Sequence, residues 1–422
     1  MSINIRINQF SSAGADYISL APTICDIRVT DGVRRTVTLK NDTRNVGQII
    51  FKEQLTDQIT DELVLALPQS GRVTFYIAGK FDPATRRAVA SKNDKDTSIV
   101  VLDDGQNEIG RHDLMIRVRK DGNTLDPPER DRFLSALVSL NQTGKFVDFQ
   151  NMHTSLTDPE IHGRSSFLPW HRHYLLDLER SLQAIDPTVS LPYWRFDLRA
   201  PNIFNPDFMG VPLGNGRLTF NNTNPLINWR VNLLGRRNVR VRRRPFFNTA
   251  TSSSPRIRNN QARTIALGST FNRFSFMEGD PHSMAHVSFD GPINNPATAP
   301  ADPLFFMLHN NVDRLWAVWQ SGNSQRYNST FTSSYPRQGT GRRNSTNLDL
   351  TVGNFTKDTM WPWDGDRSAP RPNTAPGGQF PSSPIRNQPG SVPILESTMD
   401  YQGQLSINND LGYSYDDIPY VH

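Results

Sequence analysis

The sequence predicts a two-domain chain. An antiparallel β-sandwich or barrel is expected over residues 1–118, followed over 119–422 by a mainly α domain of the four-helix-bundle kind with long irregular loops. Three observations lead there. At 422 residues the chain exceeds what one hydrophobic core usually supports. Its first part alternates apolar and polar residues with period two, and the remainder spaces them at i, i+4 and i+7, as helices do. With 36% hydrophobic and 21% charged residues the composition is that of a globular protein.

The strands come first. Ile3, Ile5 and Ile7 alternate with polar residues, as do Val37 and Leu39, Val73, Phe75 and Ile77, and Leu114, Ile116 and Val118. Asp31-Gly32, between a strand ending at Val29 and one starting at Thr36, has the composition of a tight hairpin turn. Asp121-Gly122 and Pro127-Pro128 close this region near Lys120. Residues 128–140 then place Phe133, Leu134, Leu137 and Val138 on one helix face, and KFVDFQNMH brings Phe146, Phe149 and His153 to one side. A helix starting at Pro169 carries His171, Leu175, Leu178, Leu182 and Ile185 on one stripe. Another, capped by Asp302 with Pro303 in its first turn, carries Phe305, His309, Val312, Trp316 and Trp319. A third starts at Asp280-Pro281 and sets His282 and His286 one turn apart. The stretches 199–265, rich in Asn, Pro and Arg, and 364–400, with prolines from Pro370 to Pro393, are expected to be loops.

The histidines carry the chemistry. Six of nine fall into two triplets, His153, His162 and His171, spaced by nine residues, and His282, His286 and His309. A lone histidine on an apolar face is usually a hydrogen-bonded core residue. Three helices that each direct imidazole into one core are another matter, because metal coordination satisfies several buried rings together. His112, His173 and His422 lie outside the pattern, and His173, about 200° around the helix from His171, is expected to face outward. Cys25 is the only cysteine, which excludes intrachain disulfides and a cysteine cage and weighs against a blue-copper site, which needs a thiolate beside its imidazoles. HSMAH has the spacing of a zinc protease, but Ser283 stands where the general-base glutamate belongs. An iron site of two histidines and one carboxylate would leave the remaining histidines unexplained. Six imidazoles favour two coppers.

The segments EIHGRSSFLPWHRHYLLDLE (160–179), EGDPHSMAH (278–286) and DPLFFMLHNNVDRLWAVWQ (302–320) resemble the two copper-binding regions of the tyrosinase family, over about residues 112–420. That family embraces tyrosinases, catechol oxidases and o-aminophenol oxidases and is akin to molluscan haemocyanin. The resemblance implies a dinuclear copper centre with His153, His162 and His171 on one ion and His282, His286 and His309 on the other, and O2 as co-substrate. It sets Glu278 where plant-type members orient a water, though a first-turn acid near a helix start accounts for that residue equally well. It makes Asp313, in V-D-R, an acid that supports the site from behind the ligands, and Tyr413 and Tyr415 the family's Y-x-Y motif. Phe305 is expected to pack on the imidazoles, or simply in the core. Ser283, Val287 and the loop Phe289–Asn295 with Pro292 are expected to shape the substrate's approach. The chain departs from the family at three points. Ser283 replaces the Asn common in strong monophenol hydroxylases, no cysteine is placed to link to a ligand histidine, and Leu308 precedes His309 where several members have a second histidine.

The expected function is therefore O2-dependent oxidation of o-diphenols or o-aminophenols, with monophenol hydroxylation an open addition. A haemocyanin-like reversible O2 carrier and a tailoring enzyme acting on a carrier- or peptide-bound phenol are the alternatives. The expected partners are a small phenolic substrate and O2, with no membrane; the resemblance leaves room for a homo-oligomer or a copper-delivery partner. Arg230, Arg236, Arg237, Arg240, Arg242, Arg243, Arg244, Arg256, Arg258 and Arg263 form a basic run, read as a solvated insertion or interface loop and not as a nucleic-acid site, because few aromatic residues accompany it. The N-terminus MSINIRINQF lacks a basic start followed by an apolar run, so a cytoplasmic location is expected, with partner-assisted export as the alternative.

Overall fold

The structure is a computed structural model that describes residues 3–7, 16–42, 44–155, 157–246, 259–335, 337–339, 352–361, 363 and 393–421. Arg256, Arg258, His422 and the prolines from Pro370 to Pro389 lie outside the described residues. The described chain falls into two units, one built on residues up to Arg119 together with those from Asp400 onward, the other on Lys120 to Met399.

The first unit is β-rich. Its strands are β1 (Ile3–Ile7), β2 (Tyr17–Ile18), β3 (Thr23–Val29), β4 (Arg35–Asn41), β5 (Ile49–Lys52), β6 (Glu62–Leu67), β7 (Val73–Gly79), β8 (Phe81–Asp82), β9 (Arg87–Ala88), β10 (Thr97–Leu102) and β11 (Glu108–Ile116). One sheet has the order β1-β3-β7-β5 and another β2-β11-β10-β4-β6, antiparallel except for the β11–β2 pair. Ile5, Ile27, Leu39, Phe51, Phe75, Val101 and Leu114 bury their side chains in one core. The Asp31-Gly32 turn does not make the expected hairpin. β3 pairs with β1 and β7, whereas β4 pairs with β6 and β10, so the turn passes the chain from one sheet to the other. Gly32 takes φ +71°, and the Asp31 carboxylate accepts the Val33 N–H at 3.1 Å, so the turn chemistry was legible and the strand pairing was not. The C-terminal stretch, expected with the second domain, packs in this unit. Ala88 N–H donates to Asp416 O, and the Arg119 guanidinium lies 3.6 Å from the Tyr413 ring and 5.6 Å from that of Tyr415.

The second unit holds α1 (Pro127–Gln142), α2 (Phe146–Met152), α3 (Asp158–Ile161), α4 (Phe167–Gln183), α5 (Gln261–Ile265), α6 (Phe271–Phe274), α7 (Met284–His286) and α8 (Leu304–Ser321). Among the described residues no helix is long and apolar enough to cross a membrane. α4 starts two residues earlier than expected. Pro169 becomes its third residue, which costs nothing because first-turn N–H groups have no helical acceptor. Ile185 lies beyond the end of α4 and is 42% exposed, so the apolar stripe stops at Leu182.

Two polar expectations are corrected. His173 is buried, its ring 4.4 Å from that of Trp363, because α4 is covered on nearly every side and has no outward face at that position. Arg243 is not a solvated residue of the basic run. Its guanidinium is buried on the Asp302 carboxylate at 2.6 and 2.7 Å and donates to Met209 O. The N-cap position of α8 is Pro303 and not the expected Asp302, which from one residue earlier still accepts the Leu304 N–H at 3.0 Å while held by Arg243.

Candidate metal centre

Each triplet assembles from short elements and one long helix. His153 ends α2 and His162 ends α3, while His171 lies one turn into α4. Asp280 is extended (φ −146°, ψ 114°), as residues before proline prefer, so the helical path through His282 starts only at Pro281 and passes into α7. His309 lies one turn into α8. In each triplet the three candidate donor atoms lie within 4.8 Å of one another. The triplets also meet: the His171 and His309 rings stack with centroids 4.3 Å apart and planes 10° from parallel.

The backbone fixes the rings. Nδ1 of His153 lies 2.8 Å from Pro296 O, Nδ1 of His171 2.7 Å from Phe167 O, Nδ1 of His282 2.9 Å from Glu278 O and Nδ1 of His286 2.7 Å from Ile293 O. A carbonyl only accepts, so each of these nitrogens carries the proton and Nε2 presents a lone pair. His162 Nδ1 is 2.8 Å from Asp158 Oδ1. The Nε2 atoms then crowd together. Nε2 of His309 is 3.0 Å from that of His286 and 3.4 Å from that of His282, and Nε2 of His153 and of His171 and Nδ1 of His309 are buried with no hydrogen-bond partner among the described residues.

Protons do not relieve this crowding. Burial pushes His153 down to about 3 and His286 down to about 4, and holds His171, His282 and His309 well below the usual imidazole value. Neighbouring imidazoles add to the effect at all five. Neutral imidazoles converging on two points are a donor set for two cations, and an all-nitrogen set without thiolate suits copper. The residues present fit a copper pair.

Aromatic rings enclose the donors. Phe305 sits 4.3 Å from the His309 ring and 5.1 Å from His153. Phe167, which sequence reading passed over, likewise touches one ring of each triplet, 4.8 Å from His171 and 4.9 Å from His282. The clue was available, since both phenylalanines stand four residues before a helical histidine. Asp158, four residues before His162, was missed in the same way. So was Arg172, next to His171, whose Nε donates to Asp313 Oδ1 at 2.5 Å while its other nitrogens reach Thr398 O and Gln320 Oε1 and its face covers Trp316. Asp313 therefore ties α8 to α4 through a fully buried ion pair.

Glu278 and Ser283 line a cleft of about 540 Å3 together with Gly163, Arg164, Arg337 and Asn354. Glu278 Oε1 accepts the N–H of Gly163, the residue after His162, at 2.8 Å, and Gly163 takes φ +64°, a conformation that favours glycine. Burial raises the Glu278 carboxyl above its ordinary value. Ser283 donates to Glu278 O at 2.8 Å. Val287 and Pro292 are not among the residues lining this cleft. The loop that holds Pro292 instead supplies the Ile293 carbonyl to His286, and just beyond it Pro296 serves His153.

The family of the common central domain of tyrosinase matches residues 143–322, a narrower span than the motifs suggested. The tyrosinase of Streptomyces glaucescens is 31% identical over 235 residues, 48% of this chain and 82% of that one. Grixazone synthase of Streptomyces griseus subsp. griseus is 29% identical over 269 residues, 49% of this chain and 85% of that one. Among solved structures, the tyrosinase of Burkholderia thailandensis at high pH is similar with a TM-score of 0.41 and 18% identity, over 71% of this chain and 73% of that one. The chain belongs to the tyrosinase family, as a copper-dependent phenol oxidase with a dinuclear copper centre and O2 as co-substrate.

Proposed function

We propose that this protein oxidises o-diphenols or o-aminophenols to o-quinone-type products, with His153, His162 and His171 holding one copper and His282, His286 and His309 the other in the core of a helical bundle. The observation that carries the reading is the convergence of six imidazoles in two groups of three, four of them with Nδ1 held by a backbone carbonyl. When bound, the copper pair supplies the redox chemistry that couples O2 reduction to removal of electrons from the phenol. Two o-diphenols consumed per O2 give two quinones and two waters, which balances the electrons and protons.

The chain's own residues do the rest. Phe167 and Phe305 exclude water from the two donor sets. The cleft lined by Glu278, Ser283 and Gly163 is the route for the phenol, and the Glu278 carboxylate, its raised affinity for protons set by burial, accepts the phenolic proton directly or through a water. Ser283, in place of Asn, weighs against strong monophenol hydroxylation. The likeness to grixazone synthase supports including o-aminophenols among the substrates.

Steady-state rates of the copper-loaded protein under air with tyrosine, tyramine, catechol, L-DOPA and o-aminophenol test this reading. Quinone-type products from catechol and o-aminophenol, with the monophenols slower, are expected; O2 binding without turnover of any of the five would contradict it. Glu278→Gln keeps the shape of the cleft and removes the proton acceptor. It is expected to lower kcat/KM for catechol about a hundredfold with the copper content unchanged, and full activity in that variant would rule out the assigned role.

A further inference from the structure

The arginine-rich stretch plays no part in phenol oxidation as derived from the two histidine triplets. From Phe208 to Ile265 the chain has eleven arginines, no lysine and no acidic residue. Arg243 is occupied by Asp302. Arg217, Arg230, Arg240 and Arg242 line a single cavity of about 580 Å3, a volume in the range of small-molecule sites. Its floor is apolar, made by Phe220, Leu226 and Trp229. Trp229 is held in place by Nε1–H donation to Ala301 O at 3.1 Å and by edge-on contact with Phe146, ring centroids 4.7 Å apart.

Among the described residues the charge in this cavity has no acidic counterpart. No carboxylate lines it, and among the described residues none of the four arginines forms an ion pair. Burial, and then the charge of Arg240, hold the Arg230 guanidinium below its ordinary value, which places like charges close together. Like charges at a concave, partly apolar site raise the local potential and favour an anion. The exclusive use of arginine adds chemistry, because its planar fork matches carboxylate and sulfonate oxygens two at a time, whereas lysine acts as a point charge.

We propose that this cavity binds a small amphipathic organic anion, an aromatic ring bearing a carboxylate or sulfonate, with the ring against Trp229 and Leu226 and the anionic group among Arg217, Arg240 and Arg242. The site is separate from the cleft that holds Glu278 and Ser283, and its occupancy does not depend on the oxidase reading.

Isothermal titration of the copper-loaded full chain with naphthalene-2-sulfonate, sodium sulfate and the neutral naphthalene-2-methanol tests it. The sulfonate is expected to bind with one-to-one stoichiometry and more tightly than either control, because only it offers both ring and charge. The triple replacement Arg217→Gln, Arg240→Gln, Arg242→Gln is expected to weaken it about tenfold or more, and the single Arg240→Gln by a part of that. Arg236→Gln with Arg237→Gln, on the neighbouring hairpin and outside the cavity, is expected to leave binding unchanged. Catechol oxidation is expected to be the same in every variant, which shows that the fold and the copper pair are intact. The proposal is overturned by absence of sulfonate binding, by equal affinity for sulfate, or by undiminished affinity in the triple and single variants. A single-stranded oligonucleotide that binds more tightly than the sulfonate, and loses that affinity in the same variants, would also overturn it.

Discussion

Replacing His309 or His171 by alanine takes catechol oxidation to the uncatalysed background, whereas the fold persists. The two residues stand at the same place in their helices, four residues after Phe305 and Phe167, and their rings stack on one another between the triplets. Each alanine removes one of three nitrogen donors from a buried site and leaves the other imidazoles facing a cavity. His309 Nε2 is within 3.4 Å of both other nitrogens of its group, so its loss opens that group entirely. The helices do not depend on these rings for their packing, since Leu175, Leu178, Val312 and Trp316 bury the same faces. Catechol-dependent O2 uptake together with circular dichroism checks the expectation; oxidase activity near that of the wild type in either variant would contradict it.

The second large effect is expected at Asp313→Ala. The variant leaves Arg172 buried without its carboxylate, at a side-chain exposure of 0% for the arginine and 1% for the acid it loses. Removing one partner of such a pair costs about 3 to 5 kcal/mol, because the remaining charge has no solvent to turn to. Thr398 O, Gln320 Oε1 and the Trp316 ring, which also contact Arg172, hold it in place but carry no negative charge. Arg172 adjoins His171, and Asp313 is one helical turn from His309, so the pair also fixes the two stacked donors relative to each other. Copper affinity is expected to fall about ten- to a hundredfold, as for other groups that orient metal ligands. Urea unfolding and competition with a copper chelator measure the two effects. A variant with unchanged stability and unchanged affinity would show that the pair supports neither.

Much of the site was legible because it was written in local spacing. The i, i+4 relation of Phe305 to His309 brings their rings to 4.3 Å, although α8 is buried on nearly every side and not on that stripe alone, and the H-x-x-x-H spacing brings His282 and His286 to rings 4.7 Å apart. What was not legible depended on distant chain. Nothing in the sequence near Asp31-Gly32 tells that β3 and β4 join different sheets, because strand pairing is decided by partners such as β7 and β10. β6 reads ELVLAL, nearly all apolar, yet it alternates between exposed and buried, with Val64 at 60% exposure, so composition concealed its period. β10 is buried throughout and shows no alternation at all. His173 and Arg243 were misread for a related reason. Helix phase and a run of like charges describe a segment alone, whereas their burial comes from Trp363 and Asp302, contributed by other parts of the chain.

Copper content per chain is the most direct test of the central claim, that two triplets of imidazoles each hold one ion. Protein loaded with excess copper and freed of loose metal is expected to retain two ions per chain, with His171→Ala and His309→Ala each falling to one or fewer. One ion in the wild type, or two retained in both variants, would contradict the assignment.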